Sequence, residues 1–360
     1  MDVLRWGFLP GSFDETKKYA KAEEKSFSMN RGDYVMKVCF CGLGSIGRKH
    51  LANLLRLCEE RKLSVEIHAL RNEISGQSKY ESISAQQLDR LLAKQVNDPA
   101  LLDQDYDITF ITNPSSLHYS TIAAMAGRTK HMFIEKPVFT DVNERVSDLN
   151  LGIDGIYYVA GPFRYSEVIR TLKNAAIEEQ IYCARVICSS YLPDWRPETD
   201  YRGCYSAKKE LGGGVALDLI HEWDYLTMIF GFPKHVFCMR GKYSHLEIDS
   251  EDAAFYIADY GALAVELHLD YFGRAPRREI ELFTRGGNIT GDLISHTVSF
   301  RGIQSETPKI LTDISFQETM DDLYDREMKF FLDHILEKKP LNNVEASLRI
   351  LGLALGKELP

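Results

Sequence analysis

From Lys37 onward, short apolar runs rich in β-formers alternate with stretches of helical period. Lys37-Val-Cys-Phe-Cys41 leads into a glycine loop and a helical stretch reaching about Cys58. Val65–Leu70 reads as a second strand and Ile108–Thr112 as a later one. His131–Ile134 follows the helix-like run STIAAMAGRTK, and Ile156–Val159 is a further short strand. Strands alternating with helices predict a parallel sheet built from βαβ units.

The rhythm changes in the second half. Residues 181–192 read as a strand entering a loop, and Gly212-Gly-Gly214 opens a helix predicted to end at Gly231. Several strands with turns follow between His235 and Phe300. In Leu263–Asp270, Val265 and the leucines alternate with Ala264, Glu266, His268 and Asp270, which predicts a sheet with one buried face. Residues 321–338 and 344–356 return to helical spacing. At 360 residues the chain exceeds what one core usually organises. We therefore expect an extension over 1–35, a nucleotide-binding domain over 36–160 and a second domain over 161–360.

Charge and composition narrow the possibilities. A net charge of −9 argues against a nucleic-acid partner, which needs a basic footprint. No apolar run approaches the ~20 residues of a membrane span. The first residues lack the apolar core of a signal peptide. Seven cysteines, an odd number without a Cys-x-x-Cys pair, suit free thiols in a reducing compartment, so a cytoplasmic location is expected. No His/Cys/carboxylate spacing matches a metal site, and none is expected.

Gly42-Leu-Gly44-Ser45-Ile46-Gly47 is G-x-G-x-x-G between a strand and a helix. The first glycine permits the tight turn and the second lets backbone approach a diphosphate. The third allows close helix packing, while the helix N-terminus offers free N–H groups. The context on both sides separates this loop from an ordinary glycine turn and predicts NAD or NADP. An acidic residue at the end of the second strand would bind the ribose hydroxyls of NAD. This strand ends in Leu70-Arg71-Asn72, so NADP is favoured, with Arg71 and Arg48 near its 2′-phosphate. Arg71 as a solvated residue beside NAD is the alternative.

Candidate chemistry lies in four further segments. Glu135-Lys136-Pro137 follows a strand, which puts Lys136 at the carboxyl edge of the sheet, where a lysine can polarise a substrate oxygen. In Asp218-Leu-Ile-His221-Glu-Trp-Asp224 the spacing of three puts Asp218, His221 and Asp224 on one helix face. A carboxylate there would orient the imidazole as a base, or the helix is simply a partly buried one. Asn113-Pro114-Ser-Ser-Leu-His118 borders the expected coenzyme site, although His118 by itself reads as structural. Tyr191-Leu-Pro-Asp-Trp195-Arg196 joins aromatic faces to charges, which suits a sugar ring as well as a loop anchor. Arg164 completes the candidate substrate contacts.

GLGSIGRKH at 42–50, NPSSLH at 113–118, EKPV at 135–138, GGGVALDLIHEWD at 212–224 and the late YDREMKFFLDHI occur in one order. Together these segments resemble the glucose–fructose oxidoreductase / inositol dehydrogenase / rhizopine-catabolism (Gfo/Idh/MocA) family. The resemblance implies a doubly wound Rossmann domain followed by an α+β domain with a large open, mostly antiparallel sheet. That sheet would pack on another subunit, giving a homodimer or homotetramer. Lys136, Asp218 and His221 would act around the nicotinamide, with Glu135 bordering it. The family spaces that Asp and His four apart, whereas this chain spaces them three apart. The expected activity is hydride transfer between a nicotinamide and a secondary alcohol of a sugar, cyclitol or sugar derivative. Glycoside cleavage with internally recycled NAD and a non-catalytic dinucleotide-binding role stand as rivals.

Overall fold

Two sheets account for the two rhythms. The computed structural model describes residues 34–71, 83–304, 307–312 and 318–357. The expected extension up to residue 33 and Asn72 lie outside the described residues. In chain order the elements are β1 (Val35–Cys41), α1 (Ser45–Glu60), β2 (Ser64–Leu70), α2 (Ala85–Leu91), β3 (Leu92–Val96), β4 (Tyr106–Ile111), α3 (His118–Met125), β5 (Thr129–Ile134) and β6 (Ile156–Val159). Then come α4 (Glu167–Glu178), β7 (Ile181–Tyr191), α5 (Val215–Asp218), α6 (His221–Phe230), β8 (His235–Gly241), β9 (Ala253–Asp259), β10 (Ala264–Asp270) and β11 (Phe272–Thr284). The chain continues with β12 (Gly287–Asp292), β13 (Thr297–Gly302), β14 (Lys309–Ile310), α7 (Met320–Leu336), β15 (Leu341–Asn342) and α8 (Val344–Ala354).

The first sheet runs β15-β6-β5-β4-β1-β2-β3 with every neighbouring pair parallel. The order 3-2-1-4-5-6 is that of a doubly wound dinucleotide fold. β4 is buried along its whole length, as expected of a strand covered on both faces. β3 and the short α2 were not read from the sequence, because Leu92-Ala-Lys-Gln-Val96 has two of its five residues exposed and none fully buried.

The second sheet runs β14-β13-β12-β11-β7-β10-β9-β8, and only β7 and β10 pair in parallel. Val265, Leu267 and Leu269 of β10 are buried while Ala264 and Glu266 are exposed, so its period of two is a real difference between faces. Asp270 breaks the alternation. It is buried because its carboxylate accepts the N–H groups of Phe272 and Gly273 and turns the chain into β11.

Two expectations need correction. The boundary at residue 160 is not clean, because α7 and β15 return to the first sheet. Met328, Phe331 and Leu332 of α7 pack with Phe110 and Phe133 beneath it, and β15 pairs with β6. The helix predicted from the triple glycine to Gly231 is broken at Leu219–Ile220 into α5 and α6. The apolar run Val215–Ile220 carries a helical period through the break, so the pattern gave no warning of it.

Candidate active site

The carboxyl ends of the parallel strands meet a segment between β7 and α5 across a cleft of about 640 Å³, within the usual range for small-molecule sites. Gly42, Gly44, Ile46, Thr112, Asn113, Pro114, His118 and Glu135 line one side. Gly42 has φ +98°, and a Cβ there would stand 2.7 Å from the Asn113 backbone. A Cβ on Gly47 would lie 2.5 Å from the Gly42 carbonyl, so this position serves close packing of α1. A Cβ on Gly44 would meet nothing within 4 Å. Ser45 heads α1, whose N-terminus has no side-chain cap, leaving its first N–H groups available to an anion. The buried Asn113 Oδ1 has no partner. These residues fit a dinucleotide diphosphate.

Other residues named from the sequence are committed elsewhere. His118 is buried, with Nδ1 2.9 Å from the Pro137 carbonyl and Nε2 3.0 Å from that of Asn113, so its ring ties the wall together. It lines the cleft in addition to this structural role. Arg48 is buried and donates to the carbonyls of Leu43 and Ile83, which removes it from the expected phosphate site. Arg71 donates through Nε and Nη2 to Gln95 Oε1 at 2.8 and 2.6 Å, with Asp89 at 3.5 Å, while its Nη1 has no partner among the described residues.

At the centre, Lys136 Nζ donates to the backbone carbonyl of Asp218 at 2.8 Å. The helix break makes this possible. In an unbroken helix that carbonyl would accept the Glu222 N–H, which here goes to Leu219 instead. The break also corrects the proposed pairing of Asp218 with His221. The Asp218 carboxylate accepts the Tyr271 hydroxyl at 2.6 Å, and the His221 imidazole has no hydrogen bond among the described residues. His221 stands edge-on to Phe163, with ring centroids 5.3 Å apart. Burial and then the charges of Lys136, Arg278 and Arg164 hold the His221 imidazole well below its ordinary pKa.

The residues beside His221 anchor the start of α6. Arg278 Nε donates to Glu222 at 2.7 Å, and Arg164 donates to both oxygens of Asp224. Arg164 is therefore buried in an ion pair and is not among the residues that line the cleft. Tyr191 is also not among the cleft residues. The Arg274 guanidinium covers its ring at 3.6 Å, and its hydroxyl lies 3.4 Å from His245 Nε2. Trp195 and Arg196 do line the cleft, and Trp195 packs edge-on to Tyr271.

Tyr271, Tyr205 and Tyr324 were missed. Tyr205 places its hydroxyl between Ser115 Oγ and the Gly212 carbonyl, at 3.1 and 2.7 Å. Tyr324 reaches the cleft from α7, within a segment the sequence marked by resemblance alone. One turn on, the buried Glu327 accepts the Gly161 N–H and the Tyr158 hydroxyl. Burial and neighbouring Glu135 push its carboxyl up to about 8. Burial would also raise Glu135, but contact with His50 and Lys136 outweighs it and keeps that carboxyl below the usual range.

A glycine loop and a lysine at the carboxyl edge of a doubly wound sheet, faced by a second open sheet, define a dinucleotide-dependent oxidoreductase. Residues 36–149 match the family described as "Oxidoreductase family, NAD-binding Rossmann fold" (GFO_IDH_MocA). Over 330 residues it is 25% identical to the myo-inositol 2-dehydrogenase of Thermotoga maritima, covering 85% of this chain and 90% of that protein. Levoglucosan dehydrogenase in complex with NADH and levoglucosan has a TM-score of 0.71 at 15% identity, over 90% of this chain and 96% of that one. UDP-N-acetylglucosamine 3-dehydrogenase from Acidithiobacillus ferrooxidans has a TM-score of 0.64 at 18% identity, over 90% and 96%. Both structures share the fold of this chain.

The environment of His221 generates a prediction. Its titration, followed by NMR of the ring carbons, is expected below the ordinary value of 6.5. The unfolded chain takes up that proton more readily, so acidification below about pH 6.5 should also cost stability. A midpoint at or above 6.5 would show that burial and the three cations do not depress the ring.

Proposed function

We propose that the chain oxidises a secondary alcohol, or reduces the matching ketone, on a sugar, cyclitol or sugar derivative. The reading is carried by one observation: Gly42, Gly44 and Ile46 border the same cleft as Lys136 and Asp218. When bound, the nicotinamide coenzyme accepts or donates the hydride. The Lys136 ammonium, steadied by the Asp218 carbonyl, has two N–H groups left for the substrate oxygen and stabilises the developing alkoxide. His221, held neutral, accepts the hydroxyl proton. The Asp218 carboxylate, braced by Tyr271, receives a neighbouring substrate hydroxyl, and Trp195 offers a face to the sugar ring.

At the adenosine end NADP is favoured. β2 ends without a carboxylate, and Arg71, held by Gln95, keeps Nη1 for a 2′-phosphate. On the open sheet, Phe237 and Met239 of the edge strand β8 and Ile257 of β9 are 74%, 59% and 51% exposed. Phe237 and Ile257 sit opposite each other in register. An apolar strip of this kind supports packing against a second copy of the chain.

Three measurements test these readings. Coenzyme absorbance with myo-inositol, levoglucosan and UDP-N-acetylglucosamine should reveal turnover that Lys136→Ala abolishes while coenzyme binding persists. Loss of binding in that variant would instead make Lys136 a phosphate or structural group. Arg71→Ala should weaken NADP binding by about tenfold, the worth of a charge-assisted hydrogen bond, and leave NAD nearly unchanged. Equal loss for both would remove Arg71 from the choice. Light scattering should find a dimer or tetramer that Phe237→Glu dissociates, and a wild-type monomer would refute the sheet contact.

A further inference from the structure

The GRKH segment ends in His50, a polar residue with no exposure on the inner face of α1, where Leu51, Leu54 and Leu57 are its buried neighbours. Its Nε2 is within hydrogen-bonding distance of Glu135 Oε1, and Glu135 Oε2 accepts the Lys136 main-chain N–H at 3.1 Å. The imidazole is held on several sides. Phe133 lies 4.7 Å away between ring centroids, Tyr324 5.7 Å and Phe110 6.4 Å. Among the described residues its buried Nδ1 has no partner and the one polar contact of the ring is that to Glu135. With that carboxylate accepting, Nε2 carries the hydrogen.

A leucine would fill position 50 as its neighbours fill theirs. Burying an imidazole–carboxylate pair instead costs desolvation that an apolar contact avoids, which makes the pair poor as a purely stabilising device. What the pair does uniquely is connect α1, whose N-terminus faces the coenzyme site, to the peptide that carries Lys136. We propose that His50 is a positioning residue for Lys136, acting through Glu135, so that the helix that grips the coenzyme also sets the register of the lysine. The inference rests on the reading of Lys136 as the group at the substrate oxygen. It concerns the placement of the lysine, which is measurable without substrate.

The test compares His50→Leu with His50→Gln, since the glutamine amide nitrogen stands close to the position of Nε2 and can donate to Glu135. The first readout is the acetylation rate of Lys136 in the free protein, followed by peptide mass spectrometry and normalised to the exposed Lys309. His50→Leu should shift that rate by about threefold or more, and His50→Gln should return it close to wild type. NADH affinity, read by fluorescence, should stay within about twofold in both. Where turnover is found, kcat of His50→Leu should fall about tenfold with little change in KM, the mark of a misplaced rather than absent group. An unchanged Lys136 rate in a folded His50→Leu protein overturns the proposal. So does a shift in His50→Gln as large as in His50→Leu, and this second comparison stands even if the leucine variant does not fold. Failure of the parent reading looks different, because Lys136→Ala would then keep its turnover while the labelling pattern held.

Discussion

The site depends on a hydrogen bond that joins the two layers of this molecule, from the Lys136 ammonium to the carbonyl of Asp218. The lysine is fixed to the parallel sheet by its strand, and the carbonyl belongs to the segment that leads into the second domain. A backbone oxygen can serve in this way only where a helix has let go of it, so the break at Leu219–Ile220 is part of the site and not a flaw in the helix. The acceptor is neutral, so this bond does not itself cancel the lysine charge, although the Glu135 carboxylate interacts with it. A carboxylate in its place would have compensated much of that charge.

Around this contact the protein buries a series of charges and satisfies nearly all of them in pairs. Arg164 with Asp224 and Arg278 with Glu222 pin the first turn of α6 from two elements, and Arg278 also lies over the Phe163 ring at 3.8 Å. Buried ion pairs are weak evidence of stability, but breaking one strands a charge at high cost, which makes their geometry hard to deform. The outcome is an imidazole whose position is fixed by its neighbours while its own nitrogens form no bond. Glu135 and Glu327 show the complementary rule: two buried carboxyls near each other do not both ionise, and the one lacking a cationic or imidazole partner keeps its proton.

The parts of this picture that were legible in the sequence are those in which backbone geometry demands a residue type. Gly42 and Gly47 could be read because no side chain fits where they stand, and Lys136 because it directly follows a strand that must end at the crevice. Most strands of the first sheet were legible as short β-rich runs, β3 being the exception. The partner of Arg164 could not be read, because a charged residue looks solvent-facing until its partner is known, and Asp224 lies 60 positions away. Tyr271 and Tyr324 left no local signal, since an aromatic residue at a strand end or on a helix is ordinary core material. Tyr324 reaches the cleft, and Tyr271 reaches the Asp218 carboxylate, only because distant segments fold against each other. The break between α5 and α6 was hidden by an apolar pattern that suits one helix as well as two.

The return of α7 and β15 to the first sheet has a bearing on synthesis. A ribosome makes the nucleotide-binding strands first, yet the surface that α7 covers, with Phe110, Phe133 and Tyr158 on it, must wait for residues made some 160 or more positions later. Until then the nascent chain carries an uncovered aromatic face and an unpaired edge on β6, both of which invite sticking to other chains. The two halves cannot mature one after the other as beads on a string, and an arrest late in translation would compromise the part made earliest.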